Sequence, residues 1–249
     1  MNLLKNDERF DDLQINGGKI IQNSNLYSFS NDPILLTNFS RIKKNATVVD
    51  LCSGSGIIGL LVALKSDAKK IYCIEYQQVL AEMSERSVLA NNLQNRVFII
   101  NDKIQNYKKY LQKSSIDVVY CNPPYFKISN EVMCNSDVKT IARHEVEVTL
   151  SDVIKTASEL LNSKGEFYLV HRTERIQEIC FLCSKFNFGI KRISFVKSRE
   201  NASPHLILLQ AIKDANCETK FDCDVVLNNP NGSFTKQVNK LYDCKSILK

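Results

Sequence analysis

The stretch VVDLCSGSGIIGL, residues 48–60, decides how this chain is expected to fold. It begins with apolar residues typical of a buried strand, passes through a turn rich in serine and glycine, and continues into an apolar helical pattern. Such a turn between a strand and a helix serves many nucleotide ligands, so by itself it names none of them. The stretch therefore predicts an α/β fold with a ligand near the turn.

The alternation of short apolar strands with helical patterns continues along the chain after residue 46. Strands are predicted at 47–50, 70–74, 96–100, 116–121 and 166–171, and helices at about 57–66, 77–92, 103–113, 149–162 and 174–186. Nearly all-apolar strands that alternate with helices indicate a parallel sheet covered on both faces. Two last strands, within 190–198 and 205–213, follow a short connector and should pair antiparallel at one edge.

Residues 1–45 are expected to form a hairpin and a helix that pack on this core, giving one structural domain with residues 46–249. The segment DLQINGGKIIQN predicts the hairpin, because Asn16, Gly17 and Gly18 favour a turn with positive φ. The segment NDPILLTNF predicts the helix, with Asp32 as candidate N-cap and Pro33 in the first helical position.

Composition favours a cytoplasmic protein with neither a membrane segment nor a metal. The 249 residues are 44% hydrophobic and 24% charged, the N-terminus lacks the apolar region of a signal peptide, and the longest apolar run, 56–64, is too short to span a bilayer. Nine cysteines are an odd count, which does not favour a disulfide framework. Cys180 and Cys183 form one CxxC in a helical pattern without a second cysteine or histidine pair, so core packing is expected there.

Acidic residues follow the predicted strands at the edge where parallel sheets bind ligands. Glu75 ends the second strand, 21 residues after Gly54, where a carboxylate can accept both hydroxyls of a ribose. Asp102 follows the third strand and is placed for an adenine amino group. Asp50, at the tip of the first strand, would repel a pyrophosphate but attract a cationic methionine ammonium. These positions favour S-adenosylmethionine (SAM) over a dinucleotide.

The segment DVVYCNPPYF, residues 117–126, ends the fourth strand on two consecutive prolines. The oxygen of Asn122 and the backbone carbonyl of Pro123 can accept the two N–H groups of an amine and aim its lone pair at a methyl donor. Pro123 and Pro124 fix φ and stiffen that carbonyl, and Tyr125 offers a face on which a planar base or amide can stack. Neither a strong base nor a metal is required, because the sulfonium is already activated and catalysis rests on positioning.

Two motifs resemble those of known enzymes. The run from Asp50 to Gly56 resembles the Asp-x-Gly-x-Gly-x-Gly motif of class I SAM-dependent methyltransferases, with Cys52 in place of the first glycine, and the strand end at 122–125 resembles the Asn-Pro-Pro-Tyr motif of amino-group methyltransferases. The resemblance implies a Rossmann-like, seven-stranded, mostly parallel α/β sheet with one antiparallel edge strand and helices on both faces. It implies cofactor contacts for Asp50, Ser53, Gly54, Gly56, Glu75, Asp102 and Asn122, and catalytic roles for Asn122, Pro123, Pro124 and Tyr125.

Further segments, at 11–23, 29–39, 141–179 and 225–242, resemble the bacterial tRNA adenine-N6-methyltransferases that modify the adenosine beside the anticodon of valine tRNA. The resemblance implies transfer of a methyl group from SAM to adenine N6 in a tRNA anticodon loop. The motif at 122–125 is shared more widely. An N5-glutamine methyltransferase of a release factor, an rRNA amino-group methyltransferase and a non-catalytic RNA-binding protein therefore stay open as alternatives.

A tRNA partner requires a basic surface, and the net charge of +6 allows one. One basic run comprises Lys103, Lys108, Lys109 and Lys113, and another comprises Lys191, Arg192, Lys197 and Arg199. Each run is either a phosphate-facing surface or an ordinary solvated one. Lys127, Arg143 and His144 are further candidates for RNA contact, although Glu145 offers Arg143 a local partner. A monomer is expected, with a dimer left open.

Overall fold

The computed structural model describes residues 3–26, 30–125, 147–243 and 245–249. The strands in these ranges are β1 (Glu8–Asp12), β2 (Lys19–Asn23), β3 (Thr47–Leu51), β4 (Lys70–Glu75), β5 (Val97–Asn101), β6 (Ile116–Cys121), β7 (Leu161–Arg172), β8 (Phe188–Lys197), β9 (Leu206–Lys213), β10 (Lys220–Phe221) and β11 (Val225–Val226). The α-helices are α1 (Asp32–Phe39), α2 (Ile57–Lys65), α3 (Gln78–Ala90), α4 (Leu150–Leu160), α5 (Ile176–Lys185) and α6 (Lys236–Tyr242), with short 3₁₀ helices at Ile104–Lys109 and Thr173–Arg175.

The central sheet has the spatial order β10-β8-β9-β7-β6-β3-β4-β5, with β11 beside β8. Strands β3 to β7 are all parallel. The chain moves outward from β3 through β4 to β5, then returns to place β6 on the other side of β3. This reversal creates a crevice beyond the carboxyl ends of β3 and β6, where open α/β sheets bind ligands. The predicted Rossmann-like α/β fold is confirmed.

The antiparallel strand does not lie at the edge, which corrects one detail of the prediction. Strand β9 is inserted between β7 and β8 and is antiparallel to both. Strand β8 runs parallel to β7 but lies one strand width away from it. Strand β9 runs in the opposite direction and fills the gap between them. All residues from Leu206 to Ala211 are consequently buried. The edge is formed by β8 with two-residue strands β10 and β11, which were not predicted.

Alternate residues of each central strand serve two different apolar cores. Val48 of β3 packs in the core that contains α1 and α2, whereas Val49 packs in the core that contains α4 and α5. This follows from the two-residue repeat of a strand, whose side chains point alternately to opposite faces. Because both faces are covered, the central strands need apolar residues at nearly every position, which explains their sequence pattern.

Two predicted helical features differ in detail from the structure. The predicted helix at 103–113 is a 3₁₀ helix over Ile104–Lys109, whose three-residue repeat brings Ile104 and Tyr107 to one buried face. Helix α1 begins at Asp32, so its N-cap is Asn31, and Pro33 is the second helical residue. Asn31 makes no side-chain capping bond, because its Oδ1 accepts a hydrogen bond of 2.6 Å from the hydroxyl of Tyr242.

The N-terminal hairpin is formed by β1 and β2, as predicted, with positive φ at Asn16 and Gly17. It contacts the core through α3, where the amide of Ile21 donates to Ser87 Oγ at 2.9 Å. Helix α6, which was not predicted, follows β11 near the C-terminus. Among the described helices, none combines the length and apolar character that crossing a bilayer demands.

Gly59 allows α2 to pack closely on β4, since a Cβ at this position would lie 2.3 Å from Cys73 Sγ. Gly59→Ala is expected to lower the free energy of unfolding by about 1–3 kcal/mol, because the overpacked helix must move from the sheet. Cys73→Ala removes the obstructing sulfur, so the double variant should recover most of that loss. Urea denaturation of the two single variants and the double variant measures the coupling, and simply additive losses would contradict the close contact.

Candidate active site

A cavity opens at the carboxyl edge of the sheet, where β3 and β6 are neighbours. Leu51 of β3 pairs with Cys121 of β6, so the segments that follow them leave the sheet side by side. The cavity is lined by Pro33, Cys52, Ser53, Gly54, Ser55, Ile57, Ile58, Ile74, Glu75, Tyr76, Gln77, Leu80, Lys103, Ile104, Gln105, Asn122, Pro123, Pro124, Tyr125, Glu147 and Val148. Of the predicted site residues described, only Asp50, Gly56 and Asp102 do not line it.

The turn from Cys52 to Gly56 depends on backbone conformations that favour glycine. The φ angle is 57° at Cys52 and at Gly54 and 80° at Gly56. Cys52, in the first glycine position of the motif, holds this left-handed conformation at a cost of about 1–2 kcal/mol. A Cβ at Gly56 would lie 2.0 Å from Ser84 Oγ, so Gly56 allows α3 to approach the turn. A Cβ at Gly54 would meet no atom within 4 Å, because Gly54 borders the open cavity.

Glu75 joins the end of β4 to this turn. One carboxylate oxygen accepts a hydrogen bond from the amide of Gly54 at 2.8 Å, and the other accepts from the amide of Gln77 at 2.8 Å. Burial raises the pKa of Glu75, and the backbone amides of Gln77, Gly54 and Tyr76 oppose that rise. The two oxygens retain acceptor capacity beyond these amides, so the carboxylate can also receive two ribose hydroxyls.

Asp50 lies behind the turn instead of in the cavity wall. It is 1% exposed, and neither of its oxygens makes a hydrogen bond of normal geometry to a described residue. Burial raises the pKa of Asp50 well above its usual range, the charge of Glu75 raises it further, and the backbone amide of Gly59 lowers it by less. Ser53 Oγ is also buried without a partner in the described ranges. Buried polar groups that lack partners indicate a polar ligand at this turn, and a cationic one beside Asp50.

The segment Asn122 to Tyr125 forms the wall opposite the glycine-rich turn. The hydroxyl of Tyr125 lies 2.6 Å from Asn122 Oδ1 and 2.8 Å from Asp32 Oδ2 at the start of α1. The ring of Tyr125 packs on the ring of His171, with centroids 5.3 Å apart, and its backbone carbonyl accepts from Arg175 at 3.3 Å. The ring is therefore held by its hydroxyl, its face and its backbone.

Three further residues contact Tyr125 and were not predicted as parts of this site: Asp32, His171 and Arg175. Burial lowers the pKa of His171 to about 4, with a further lowering from the charge of Arg175. The neutral ring accepts a hydrogen bond at Nδ1 from the amide of Arg172 at 2.8 Å. His171 follows from the same rule that located Glu75, since it lies near the carboxyl end of β7 beside β6. The contact of Asp32 with Tyr125 spans 93 residues, and no local pattern indicates it.

Asp102 is placed differently from the sequence-based expectation. Its carboxylate accepts hydrogen bonds from Asn106 at 2.6 Å, Lys109 at 2.9 Å and Tyr110 at 3.0 Å. These partners, Asn106 first, lower the pKa of Asp102 and direct its carboxylate to the 3₁₀ helix. The neighbouring Lys103 and the next two residues line the cavity in its place. A role for Asp102 toward an adenine stays a prediction.

Most of the cations in the two basic runs form ion pairs, and all the paired ones except Lys109 have a partner that lies far away in the sequence. The pairs are Lys103–Glu147, Lys108–Glu159, Lys109–Asp102, Lys113–Glu159, Lys191–Glu218, Arg192–Asp222 and Lys197–Asp224. Within the described ranges, Arg199 is the member of these runs for which no ion pair is found. Paired cations attract phosphate weakly, so the solvated-surface interpretation is favoured for both runs. The candidates Lys127, Arg143 and His144 lie outside the described residues.

Comparison with known proteins decides the family. Residues 30–187 match the family model described as methyltransferase small domain. The chain belongs to this methyltransferase family. Its cofactor is SAM, which agrees with the buried carboxylate of Asp50, the acceptor capacity of the Glu75 carboxylate and the open space beside Gly54.

Relatives of this methyltransferase include two proteins named tRNA1(Val) (adenine(37)-N6)-methyltransferase. The one from Aeromonas hydrophila is 26% identical, over 84% of this chain and 86% of the relative. The one from Shewanella halifaxensis is 27% identical, over 72% of each chain. Among solved structures, a predicted O-methyltransferase from Agrobacterium tumefaciens has a TM-score of 0.69 at 22% identity, covering 86% of this chain and 97% of that one. The tRNA m1G37 methyltransferase of M. jannaschii has a TM-score of 0.59 at 17% identity, covering 86% of this chain and 56% of that one, and both structures show the fold alone.

Asp50→Asn is expected to stabilise the ligand-free methyltransferase at neutral pH and to weaken its binding of SAM. The folded state raises the pKa of Asp50 above the unfolded value of about 4, so ionisation favours the unfolded state and wild-type stability falls as pH rises above that value. The amide carries no charge to bury, so this fall should be smaller in the variant. Denaturation at pH 5 and pH 7.5, each with and without SAM, measures both effects.

The matched control for this prediction is Asp67→Asn, which changes an exposed carboxylate. It should alter neither the pH dependence of stability nor the affinity for SAM. An Asp50→Asn protein that is less stable than wild type at both pH values and binds SAM normally would contradict the role given to the buried charge.

Proposed function

We propose that this methyltransferase transfers a methyl group from SAM to the exocyclic N6 amine of an adenine in the anticodon loop of a tRNA, with valine tRNA as the substrate. The observation that carries the proposal is that Asn122, Pro123 and Tyr125 line the same cavity as Glu75 and Gly54. The relatives named tRNA1(Val) (adenine(37)-N6)-methyltransferase support this choice of substrate. The proposal includes a monomer that acts in the cytoplasm without a metal.

The proposed chemistry rests on holding a weak nucleophile in position. When bound, SAM supplies an electrophilic methyl group on a sulfonium. The lone pair of an exocyclic amine is delocalised into the base, so the amine must be held with that lone pair aimed at the methyl. The Asn122 side-chain oxygen and the Pro123 carbonyl supply two acceptors for its N–H groups, and no described residue donates to the Pro123 carbonyl. Tyr125 is fixed in the cavity wall, where a flipped base can stack on it.

A general base is not part of the proposal. Among the described residues, His171 is the imidazole in contact with Tyr125, but it is buried and its Nδ1 accepts a hydrogen bond from the amide of Arg172. The amine becomes acidic once the methyl group is attached, so its proton can pass to solvent after transfer. The rate should therefore depend on the geometry of Asn122 and Tyr125 more than on any titrating side chain.

Incubation with tritiated SAM and bulk tRNA from a strain that lacks the modification tests the proposal. Digestion of the labelled tRNA should give N6-methyladenosine. Asn122→Ala should lower kcat by about 100-fold or more while SAM still binds, because an acceptor for the amine is lost and the glycine-rich turn is intact. Separate tRNA species then show whether valine tRNA carries the label.

The matched control is Asn162→Ala, which removes a half-buried asparagine at the opposite edge of the sheet, where Asn162 donates to Asp117 at 3.2 Å. This variant should label tRNA like the wild type. A release factor and ribosomal RNA are offered in parallel reactions. Label in either of these, with none in tRNA, would overturn the proposed substrate and retain the amino-group chemistry. SAM binding without turnover on any of them would favour a non-catalytic RNA-binding protein.

A further inference from the structure

The hydroxyl of Tyr125 lies between two acceptors but has one hydrogen to donate. Asp32 Oδ2 is 2.8 Å from this hydroxyl, and the side-chain amide of Asn122 is 2.6 Å from it on the other side. If Tyr125 donated to Asp32 while Asn122 presented its oxygen, two lone pairs would face each other at hydrogen-bond distance. Only one of the two acceptors can therefore receive the hydrogen, and the other group must present a donor.

The carboxylate is the stronger acceptor for that single hydrogen. Hydrogen bonds to an ionised group are roughly twice as strong as bonds between neutral groups. Tyr125 therefore donates to Asp32, and its oxygen is left as an acceptor facing Asn122. The carboxamide of Asn122 has nearly the same shape in its two orientations, so it can turn to donate Nδ2–H to the Tyr125 oxygen. Its Oδ1 then faces away from Tyr125.

We propose that Asp32 is a positioning residue, which acts through Tyr125 to turn the Asn122 carboxamide so that its oxygen is available to the amine being methylated. The proposal rests on the function proposed above for Asn122. Asn122 lines the cavity and has no other hydrogen bond to a described residue, so nothing else in the described chain fixes its orientation. Without Asp32, Tyr125 would donate to the Asn122 oxygen and withdraw it from the substrate.

The position of Asp32 in α1 agrees with this role. Asp32 is the first helical residue, and within the described residues its carboxylate accepts a hydrogen bond only from Tyr125. The preceding Asn31 is engaged by a second tyrosine hydroxyl, that of Tyr242, at 2.6 Å. Two tyrosines thus bind side by side at the start of one helix, and only Tyr125 belongs to the segment that follows β6. Tyr242 therefore supplies a matched control on the same helix end.

A kinetic double-variant cycle tests the proposal. Asp32→Ala should lower kcat by about tenfold, which corresponds to about 1.4 kcal/mol of activation free energy, with little change in the KM for SAM. Asp32→Asn provides a neutral amide that competes with Asn122 on equal terms for the hydroxyl hydrogen of Tyr125, so kcat should fall by only about twofold. In a Tyr125→Phe background there is no hydroxyl hydrogen to direct, so Asp32→Ala should cause no further loss.

A purely structural role of Asp32 at the helix end predicts different results. Tyr242→Phe removes the neighbouring bond to the same helix end and should leave kcat unchanged. If Asp32→Ala lowers kcat by the same factor in the Tyr125→Phe background as in the wild type, the effect does not pass through Tyr125 and the proposal is overturned. A wild-type kcat in the Asp32→Ala variant would overturn it as well.

A substrate-free measurement separates this proposal from the proposed function. In protein labelled with ¹⁵N in asparagine side chains, the amide hydrogens of Asn122 should show a nuclear Overhauser effect to the ring hydrogens of Tyr125. The signals of Asn122 are assigned by their loss in Asn122→Asp. The effect should weaken in Asp32→Ala and persist in Tyr242→Phe. Its absence from the wild type, or its full retention in Asp32→Ala, would overturn the role of Asp32 whichever substrate is methylated.

Discussion

The pairing of β3 with β6 is the constraint on which the rest of the site depends. Leu51 opposes Cys121 in this parallel ladder, so the glycine-rich turn and the Asn122–Tyr125 segment begin at the same height on adjacent strands. The reversal of strand order at β3 leaves a crevice between the two segments. A one-residue slip of β6 against β3 would turn every side chain of β6 to the other face of the sheet. It would also separate Asn122 from the cofactor side of the cavity.

The electrostatics of the site favour a cation on one side and a neutral nucleophile on the other. Asp50 and Glu75 are both buried, and burial raises the pKa of each carboxyl group. An ionised pair is costly in this environment until a positive ligand arrives, which makes the ligand itself part of the stable arrangement. On the opposite wall, Asn122 and the prolines offer neutral acceptors, and His171 remains uncharged because burial lowers its pKa to about 4. This division fits transfer of a group from a sulfonium to an amine.

The sequence predicted those parts of the protein that depend on local pattern. Glu75, Gly54 and Asn122 follow buried strands, and the parallel-sheet rule was sufficient to bring them to one edge. It did not predict contacts between distant segments. The contact of Asp32 with Tyr125 and the pairing of Lys108 with Glu159 depend on how the complete sheet brings elements together. The insertion of β9 between β7 and β8 likewise depends on distant elements. The connection through α5 places β8 one strand width away from β7, and β9 fills that space.

Catalysis in this account depends on orientation. That orientation is set by the register of β3 and β6, by the two rigid prolines and by the hydrogen bond that Tyr125 makes. Its central claim is that one cavity holds the cofactor on Glu75 and turns the reacting end of that cofactor toward Asn122. A crystal structure with S-adenosylhomocysteine tests this claim most directly. The account predicts ribose hydroxyls on the Glu75 carboxylate and the sulfur on the Asn122 side of the cavity. A nucleoside bound away from Glu75, or a sulfur separated from Asn122 by the glycine-rich turn, would contradict it.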